Sequence, residues 1–166
     1  MELLPAVLAS GWASGVNAYL TVLMLGLLGR FGGFEMVPEA FTRVDVLIVA
    51  AVLFLLEFVA DKIPYVDSLW DAISTAIRPT AGVVIGLLAA PEAPTLTQAI
   101  LAASGGLAAL VSHLVKGGLR LAINTSPEPF TNIGASLGED VAVAGVTSLA
   151  VVAPGVALGI AGVLLV

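Results

Sequence analysis

The sequence predicts an all-α membrane protein, a polytopic helical bundle of about five transmembrane helices, with four or six as alternatives. The 166 residues are 59% hydrophobic, and their mean hydropathy is +1.10. Charged residues make up 11% of the chain, against about 25% in a typical soluble domain. Long apolar stretches alternate with short polar ones, as in chains whose surface mostly faces lipid. We therefore expect one integral membrane domain, residues 1–166, in contact with the lipid bilayer.

The composition also excludes several classes of protein. The chain has no cysteine, which rules out disulfides, thiol nucleophiles and thiolate metal sites. A net charge of −6 leaves no basic patch for a nucleic-acid partner. Only Glu2 is charged before Arg30, and the first apolar segment is too long for a signal peptide. We expect that segment to be a membrane span.

The first predicted span covers residues 4–28. Pro5 suits a first helical turn, and glycines after the span end the helix and open a loop over residues 32–45. Asn17 interrupts the apolar sequence. It either lines a cavity or hydrogen-bonds a neighbouring helix, and the sequence leaves both interpretations open.

The second predicted span covers residues 44–60 and ends in acidic residues. Glu57 and Asp61 are four residues apart, so they share one helix face, and Pro64 stops the helix. Glu57 lies among apolar residues, which favours a functional role, because intramembrane carboxylates often bind cations or relay protons. For Asp61, as for Asp67, a solvated loop is an equally good interpretation.

The third predicted span covers residues 68–90. Asp67 is a candidate N-cap, and Asp71 lies one turn inside, where carboxylates suit the positive helix end. Pro79 removes a hydrogen-bond donor, so we expect a kink there. Arg78 needs a carboxylate partner, because its guanidinium keeps its proton. The candidate partners are Asp71, Glu139 and Asp140.

The fourth predicted span covers residues 96–123 and carries a cationic stripe. His113, Lys116 and Arg120 lie on one helix face, at i, i+3 and i+7. This face either opposes acidic residues and holds an anionic group of a substrate, or its longer side chains snorkel to an interface. His113 is either a packing residue or a carrier of protons near neutral pH.

The remaining chain contains an irregular stretch, residues 124–140, and an apolar stretch, residues 141–166. A Pro-Gly pair at Pro154 interrupts the apolar stretch, which is either one kinked span or a span followed by a short re-entrant piece.

We expect two broken stretches, residues 61–79 and 127–140, to line a cavity, because broken backbone at membrane depth must be buried in protein or in contact with water.

Two short matches also suggest a weak internal repeat. Ala81-Gly82-Val83 and Ala144-Gly145-Val146 are each followed by Ala-Pro at the same spacing. The repeat would divide the chain into residues 1–95 and 96–166. Such halves are found in transporters, whose sites lie where the halves meet.

Several motifs together resemble a known family. They are GVNAYLT (residues 15–21), E-xxx-DKIPYVDSLWD (57–71), IRPTAG (77–82), H-xx-K-xxx-R (113–120), and SPEPFTN with SLGED (126–140). In this order they resemble the bacterial membrane proteins classed as domain of unknown function number 4126. The resemblance implies a small multi-pass protein of the bacterial inner membrane, and it brings no established activity.

The leading functional hypothesis is a small transporter or channel for an ion or polar solute. It would act at an intramembrane site of carboxylates and basic groups beside broken helices, without a cofactor. We expect a homodimer or higher oligomer, because so short a chain hardly encloses a wide path. The candidate site residues are Asn17, Glu57, Asp61, Asp67, Asp71, Arg78, His113, Lys116, Arg120 and Asp140.

Two alternatives remain. The charges could lock the helices of a structural or assembly protein together. The carboxylates could instead hold magnesium in a membrane enzyme. The chain has no HExxH or P-loop motif, which favours a protein that is not an enzyme.

Overall fold

The computed structural model describes residues 3–125 and 129–165, and these residues contain eight helices and no strand. This confirms the predicted all-α membrane-type bundle. The helices are α1 (Leu3–Val16), α2 (Ala18–Gly32), α3 (Glu39–Thr42), α4 (Val44–Ala60), α5 (Val66–Leu88), α6 (Thr95–Ile123), α7 (Pro129–Val152) and α8 (Pro154–Val163).

Three of these helices are long and apolar enough to cross a membrane, namely α5, α6 and α7. The 23 residues of α5 extend about 35 Å at 1.5 Å per residue, which exceeds a hydrocarbon core of about 30 Å. The bounds of α4 match the second predicted span. The helices α1, α2 and α8 are apolar but shorter, so the predicted five spans only approximate the division of the chain.

Helices α5 and α6 are antiparallel neighbours. Gly82 of α5 packs against Gly105 of α6, and further along Arg78 contacts His113. Helix α1 lies beside α6 and runs in the same direction, because Gly11 packs on Gly105 and the Val16 carbonyl at its end meets Lys116.

The first predicted span is wrong, because the chain is broken at Asn17. This residue is extended, with φ −149° and ψ 99°, and its side chain accepts a hydrogen bond from the backbone N–H of Leu20. Leu25 of α2 lines the same small cavity as Ala6 and Val7 of α1, so α2 turns back along α1. Asn17 therefore acts as an N-cap that starts a new helix inside the apolar sequence.

The C-terminal apolar stretch is broken in a similar way at Ala153, which has φ −148° and ψ 70°. Leu164 and Leu165, which follow α8, line a cavity with Glu139 and Ala142 of α7. Helix α8 therefore folds back along α7, and of the two predicted alternatives the structure favours a span followed by a short returning helix.

Both stretches that were predicted to be broken are mainly helical. Helix α5 continues through Pro79, so only the turn between Ala60 and Val66 interrupts the first stretch. Helix α7 begins at Pro129, and residues 127 and 128 of the second stretch lie outside the described residues. Asp67 is not an N-cap, because it lies inside the first turn of α5. Local polarity and proline suggested breaks that tertiary packing overrides.

The bundle thus has two ends. Helices α4 to α7 connect a loop end, formed by residues 33–43 and 89–94, with a charged end, formed by residues 57–71, 113–124 and 132–140. The pair α1–α2 enters from the loop end and returns to it, and α8 returns inward from the loop end. The break at Asn17 thereby reaches the charged end from inside the bundle.

Candidate functional site

Charged side chains from four helices meet at the charged end and form a charged network. Antiparallel connections place the end of α4, the start of α5, the end of α6 and the start of α7 together. The network contains Glu57, Asp61, Lys62, Asp67, Asp71, Arg78, Lys116, Arg120, Glu139 and Asp140. Of the predicted site residues, Asn17 and His113 contact this network, and the structure therefore brings the whole predicted set together.

Arg78 is buried between two carboxylates. Its Nη2 lies 2.5 Å from Oε1 of Glu57 and 2.8 Å from Oδ1 of Asp71. Of the three predicted partners, Asp71 is therefore correct, whereas Glu139 and Asp140 pair elsewhere. The pair Glu57–Arg78 joins α4 to α5 and satisfies a guanidinium that could not be buried alone.

Lys116 is surrounded by oxygen atoms. Its Nζ lies 2.8 Å from Oδ2 of Asp61, 3.4 Å from Oε2 of Glu139 and 3.7 Å from Oδ1 of Asp71. It also donates a hydrogen bond of 3.1 Å to the carbonyl of Val16. That carbonyl is available because the Leu20 N–H, its partner in a continuous helix, donates to the Asn17 side chain instead.

Arg120 binds three residues, one in the turn after α4 and two in α7. Two of its nitrogens donate to the two Glu139 oxygens, at 3.2 and 2.6 Å, and Nη1 donates to the Asp61 carbonyl and to Oδ1 of Asn132. Arg120 is 0% exposed and Lys116 is 4% exposed. The snorkelling interpretation of these two residues is therefore wrong.

His113 is held in one neutral tautomer. Its Nδ1 lies 3.0 Å from Nη1 of Arg78, and its Nε2 lies 3.0 Å from Oγ1 of Thr75. A guanidinium only donates, so Nδ1 accepts and the ring proton lies on Nε2. The Thr75 hydroxyl accepts a hydrogen bond from the Nε2–H group of His113 and donates one to the Asp71 carbonyl. A second ring proton would break the bond to Arg78, so the geometry favours a positioning role for His113.

Asn17 connects the break in the first apolar segment to the network. Its Nδ2 donates to Oδ1 of Asp140 at 3.2 Å. This agrees with the interpretation that Asn17 hydrogen-bonds a neighbouring helix. Oδ2 of Asp140 lies 3.9 Å from Nζ of Lys62. Lys62 lies in the turn after α4, where partial burial lowers the pKa of its ammonium group and the Asp140 carboxylate opposes this shift.

The solvated-loop interpretation of Asp61 and Asp67 is wrong. Asp61 is 2% exposed and Asp67 is 0% exposed. Asp67 accepts a hydrogen bond from Nδ2 of Asn124 at 2.9 Å and lies 3.7 Å from Nη1 of Arg120. Both carboxylates belong to the buried network.

The network contains more negative than positive charge. Its six carboxylates face four cationic groups, a formal charge of −2. The other two of the six lysines and arginines in the sequence lie at the loop end, where Arg30 bonds to the Thr42 carbonyl and Arg43 pairs with Asp45. Several buried carboxylate oxygens have no hydrogen-bond partner among the described residues: Oε2 of Glu57, Oδ1 of Asp61, Oδ2 of Asp71 and Oδ2 of Asp140.

Two cavities reach the network from different sides of α6. The first, of about 440 Å³, is lined by Asp71, Thr75, His113 and glycines of α6. The second, of about 270 Å³, is lined by Lys116, Glu139 and apolar residues of α1 and α7. In residues 3–125 and 129–165, no three His, Asp or Glu side chains are arranged to hold a metal ion.

Sequence reasoning missed some members of the site. Glu139 was considered only as a partner of Arg78, although it contacts both Lys116 and Arg120. Asn132 has a signal in the sequence, since it ends the FTN motif before the acidic pair. The Val16 carbonyl has no such signal, because a backbone acceptor becomes available only when the helix break is known.

Comparison with known proteins gives a family and no activity. A family model described as Domain of unknown function (DUF4126) matches residues 4–166. A search of the curated proteins and a search of the solved structures each found no match. The motifs that carry the sequence resemblance include most of the network, and the match extends over nearly the whole chain. This chain, a membrane-type helical protein, is therefore a member of the DUF4126 family.

Proposed function

We propose that this protein is a small transporter or channel of the bacterial inner membrane that passes protons or small cations. The excess of carboxylates in the charged network carries this proposal. Removing an ion from water costs several kcal/mol even in relaxed protein interiors, so two uncompensated carboxylates call for protons or cations. An intramembrane acidic site that takes up and releases positive charge has the central property of an ion pathway.

The two cavities supply access to this site. Asp71 lines the first cavity and Glu139 lines the second. Both carboxylates lie within 4 Å of Nζ of Lys116. A positive charge that moves from one cavity to the other would therefore pass the Lys116 ammonium group.

Buried hydroxyl groups extend from the network toward the loop end. Ser10 and Ser14 are buried in α1 and share one helix face at a spacing of four residues, and Asn17 follows the end of this helix. Ser10 also lines a small cavity near the loop end. This polar line supports a route along α1 between the network and the opposite end of the bundle.

The test is a flux assay on purified protein in liposomes, with an internal pH dye and imposed sodium, potassium or proton gradients. Asp71→Asn removes the carboxylate at the first cavity with little change of shape. We expect it to slow flux by at least about tenfold, equal to a barrier raised by about 1.4 kcal/mol. Glu57→Gln should slow flux less, because Arg78 keeps one of its oxygens bonded.

Asp45→Asn is the matched control, because Asp45 is exposed and lies at the loop end. Its flux should equal that of the wild type. Wild-type flux no faster than in empty liposomes, for all three gradients, would contradict the proposal. Equal flux in the wild type and the Asp71 variant would remove Asp71 from the pathway.

A structural role is the second candidate function, and the bonding of Arg120 favours it. This side chain joins the turn after α4 to α6 and α7, so the network also holds the bundle together. In this case Glu57→Arg combined with Arg78→Glu should restore the stability that either single change removes.

A further inference from the structure

The Lys116 ammonium group has the surroundings of a bound cation. Four oxygens lie within 4 Å of its Nζ, from the Val16 carbonyl and the carboxylates of Asp61, Asp71 and Glu139. They come from α1, the turn after α4, α5 and α7. Carboxylate and carbonyl oxygens are the ligands that hard inorganic cations prefer.

The Val16 carbonyl is an unusual member of this set. It lies at the C-terminal end of α1, where unpaired carbonyls carry the negative end of the helix dipole. The break at Asn17 frees it, since the Leu20 N–H bonds to the Asn17 side chain. Carbonyls at the ends of interrupted membrane helices are a recurring kind of site for Na⁺ and H⁺.

The oxygens around Lys116 exceed what one ammonium group can satisfy. An ammonium group has three donors for the four oxygens within 4 Å. The second oxygens of two of these carboxylates, Oδ1 of Asp61 and Oδ2 of Asp71, make no hydrogen bond. These two residues are 2% and 5% exposed. Unpartnered carboxylate oxygens this deeply buried indicate a site with capacity for further positive charge.

We propose that the Lys116 ammonium group occupies a binding site for a small monovalent cation, and that the two exchange. This inference deepens the proposed function and rests on it, because it names the transported species as a monovalent inorganic cation. The ammonium would leave toward the second cavity, which Lys116 lines and which holds about 270 Å³. A cation entering past Asp71 would then bind Asp61, Asp71 and the Val16 carbonyl in its place.

Thermal unfolding of Lys116→Gln tests the site without any flux measurement. The variant is unfolded in detergent with lithium, sodium, potassium or N-methyl-D-glucamine chloride at equal ionic strength. We expect one of the inorganic cations to raise its Tm saturably by about 5 °C or more. The wild type should show a much smaller difference between cations, because its own ammonium group competes for the site.

Two further variants separate the site from general salt effects. Arg43→Gln removes a positive charge at the exposed loop end and should show no difference between cations. Asp61→Asn combined with Lys116→Gln removes a ligand together with the ammonium group, and it should lose the cation dependence. Equal Tm in all four salts for Lys116→Gln, or the same shift in Arg43→Gln, would overturn the inference.

If Lys116→Gln folds poorly, the yield of folded protein in each salt replaces Tm as the measurement. The variant would then be extracted and purified in each salt, and the yield of monodisperse protein would be compared. A higher yield in an inorganic cation than in N-methyl-D-glucamine supports the site, and equal yields contradict it. If the variant binds cations but wild-type liposomes show no flux, the site stands and the transport function fails.

Discussion

Helices α5 and α6 are held together in different ways at their two ends. Toward the loop end, Gly82 lies against Gly105, and Gly86 lies against the backbone of Leu101. At the charged end the same helices are joined by ionised and polar side chains, such as Arg78 with His113. The glycine contacts leave no space for another group, whereas the charged end has cavities and unpartnered oxygens. Rigid packing and binding capacity are thus separated along one helix pair.

The physical reason for each arrangement differs. Between membrane helices, small residues allow close approach and van der Waals contact, with no need for polar groups. Buried ion pairs must instead recover a large desolvation cost, and they do so only when every partner is present. The glycine end should therefore respond to added volume and the charged end to lost charge. Four substitutions test this difference.

The largest expected effect is that of Arg120→Met. It would leave Glu139 without its two hydrogen bonds and leave the Asp61 carbonyl without a donor. Removing one partner of a buried ion pair costs about 3–5 kcal/mol, and we expect that loss in the free energy of unfolding. Denaturation in mixed micelles measures it. The double variant with Glu139→Gln should recover part of the loss, and a cost no larger than that of Arg43→Ala would contradict a buried ion pair.

Gly105→Ala should have the next largest effect. Its added Cβ would collide with the carbonyl oxygen of Gly82, and overpacking typically costs about 1–3 kcal/mol. Gly117→Ala in the same helix is the control, because a Cβ there meets no atom within 4 Å. Equal unfolding energies for the two variants would mean that the close approach of α5 and α6 is absent.

Asn17→Ala tests the helix break that links the two regions. It removes the N-cap bond to Leu20 and the contact with Asp140, and loss of an N-cap costs about 0.5–2 kcal/mol. Asn17→Ser keeps a capping oxygen and should recover part of this loss. If both variants unfold at the same temperature as the wild type, the capping role is wrong.

Arg43→Ala should have the smallest effect. Its ion pair with Asp45 is exposed at the loop end, with side chains 65% and 64% accessible, and such pairs contribute little because water and salt screen them. We expect a Tm indistinguishable from that of the wild type at physiological salt. A clear decrease would show that the charges of the loop end also hold the bundle together.

The sequence predicted which residues form the charged network better than it predicted their ion-pair partners. Each predicted charged site residue, from Glu57 to Asp140, lies in or against the network, because charge in an apolar sequence must be buried together. The actual partners could not be predicted, as the pairing of Glu57 with Arg78 shows. Helical spacing states which side chains share a face, while partners on other helices depend on how those helices pack.

Some predictions concern features that the fold does not test. The division into repeat halves 1–95 and 96–166, the homo-oligomer and the inner-membrane location stay predictions. The sequence Ala-Ser-Gly occurs at residues 9–11 and again at residues 103–105, and Gly11 of the first copy lies against Gly105 of the second. This contact places the two candidate halves side by side at the glycine-packed region.

Composition and apolar segment lengths alone determined that this protein is a helical membrane bundle with a cluster of buried charge. These properties follow from the transfer energies of side chains, which depend on each residue and not on its neighbours in space. Only the tertiary structure decided that the first apolar segment breaks at Asn17, and that the freed Val16 carbonyl meets Lys116. The helix breaks where one side-chain capping bond replaces a backbone hydrogen bond of a continuous helix. Which of the two is more stable depends on contacts with residues 100 positions away in the sequence, such as that of Lys116 with Val16.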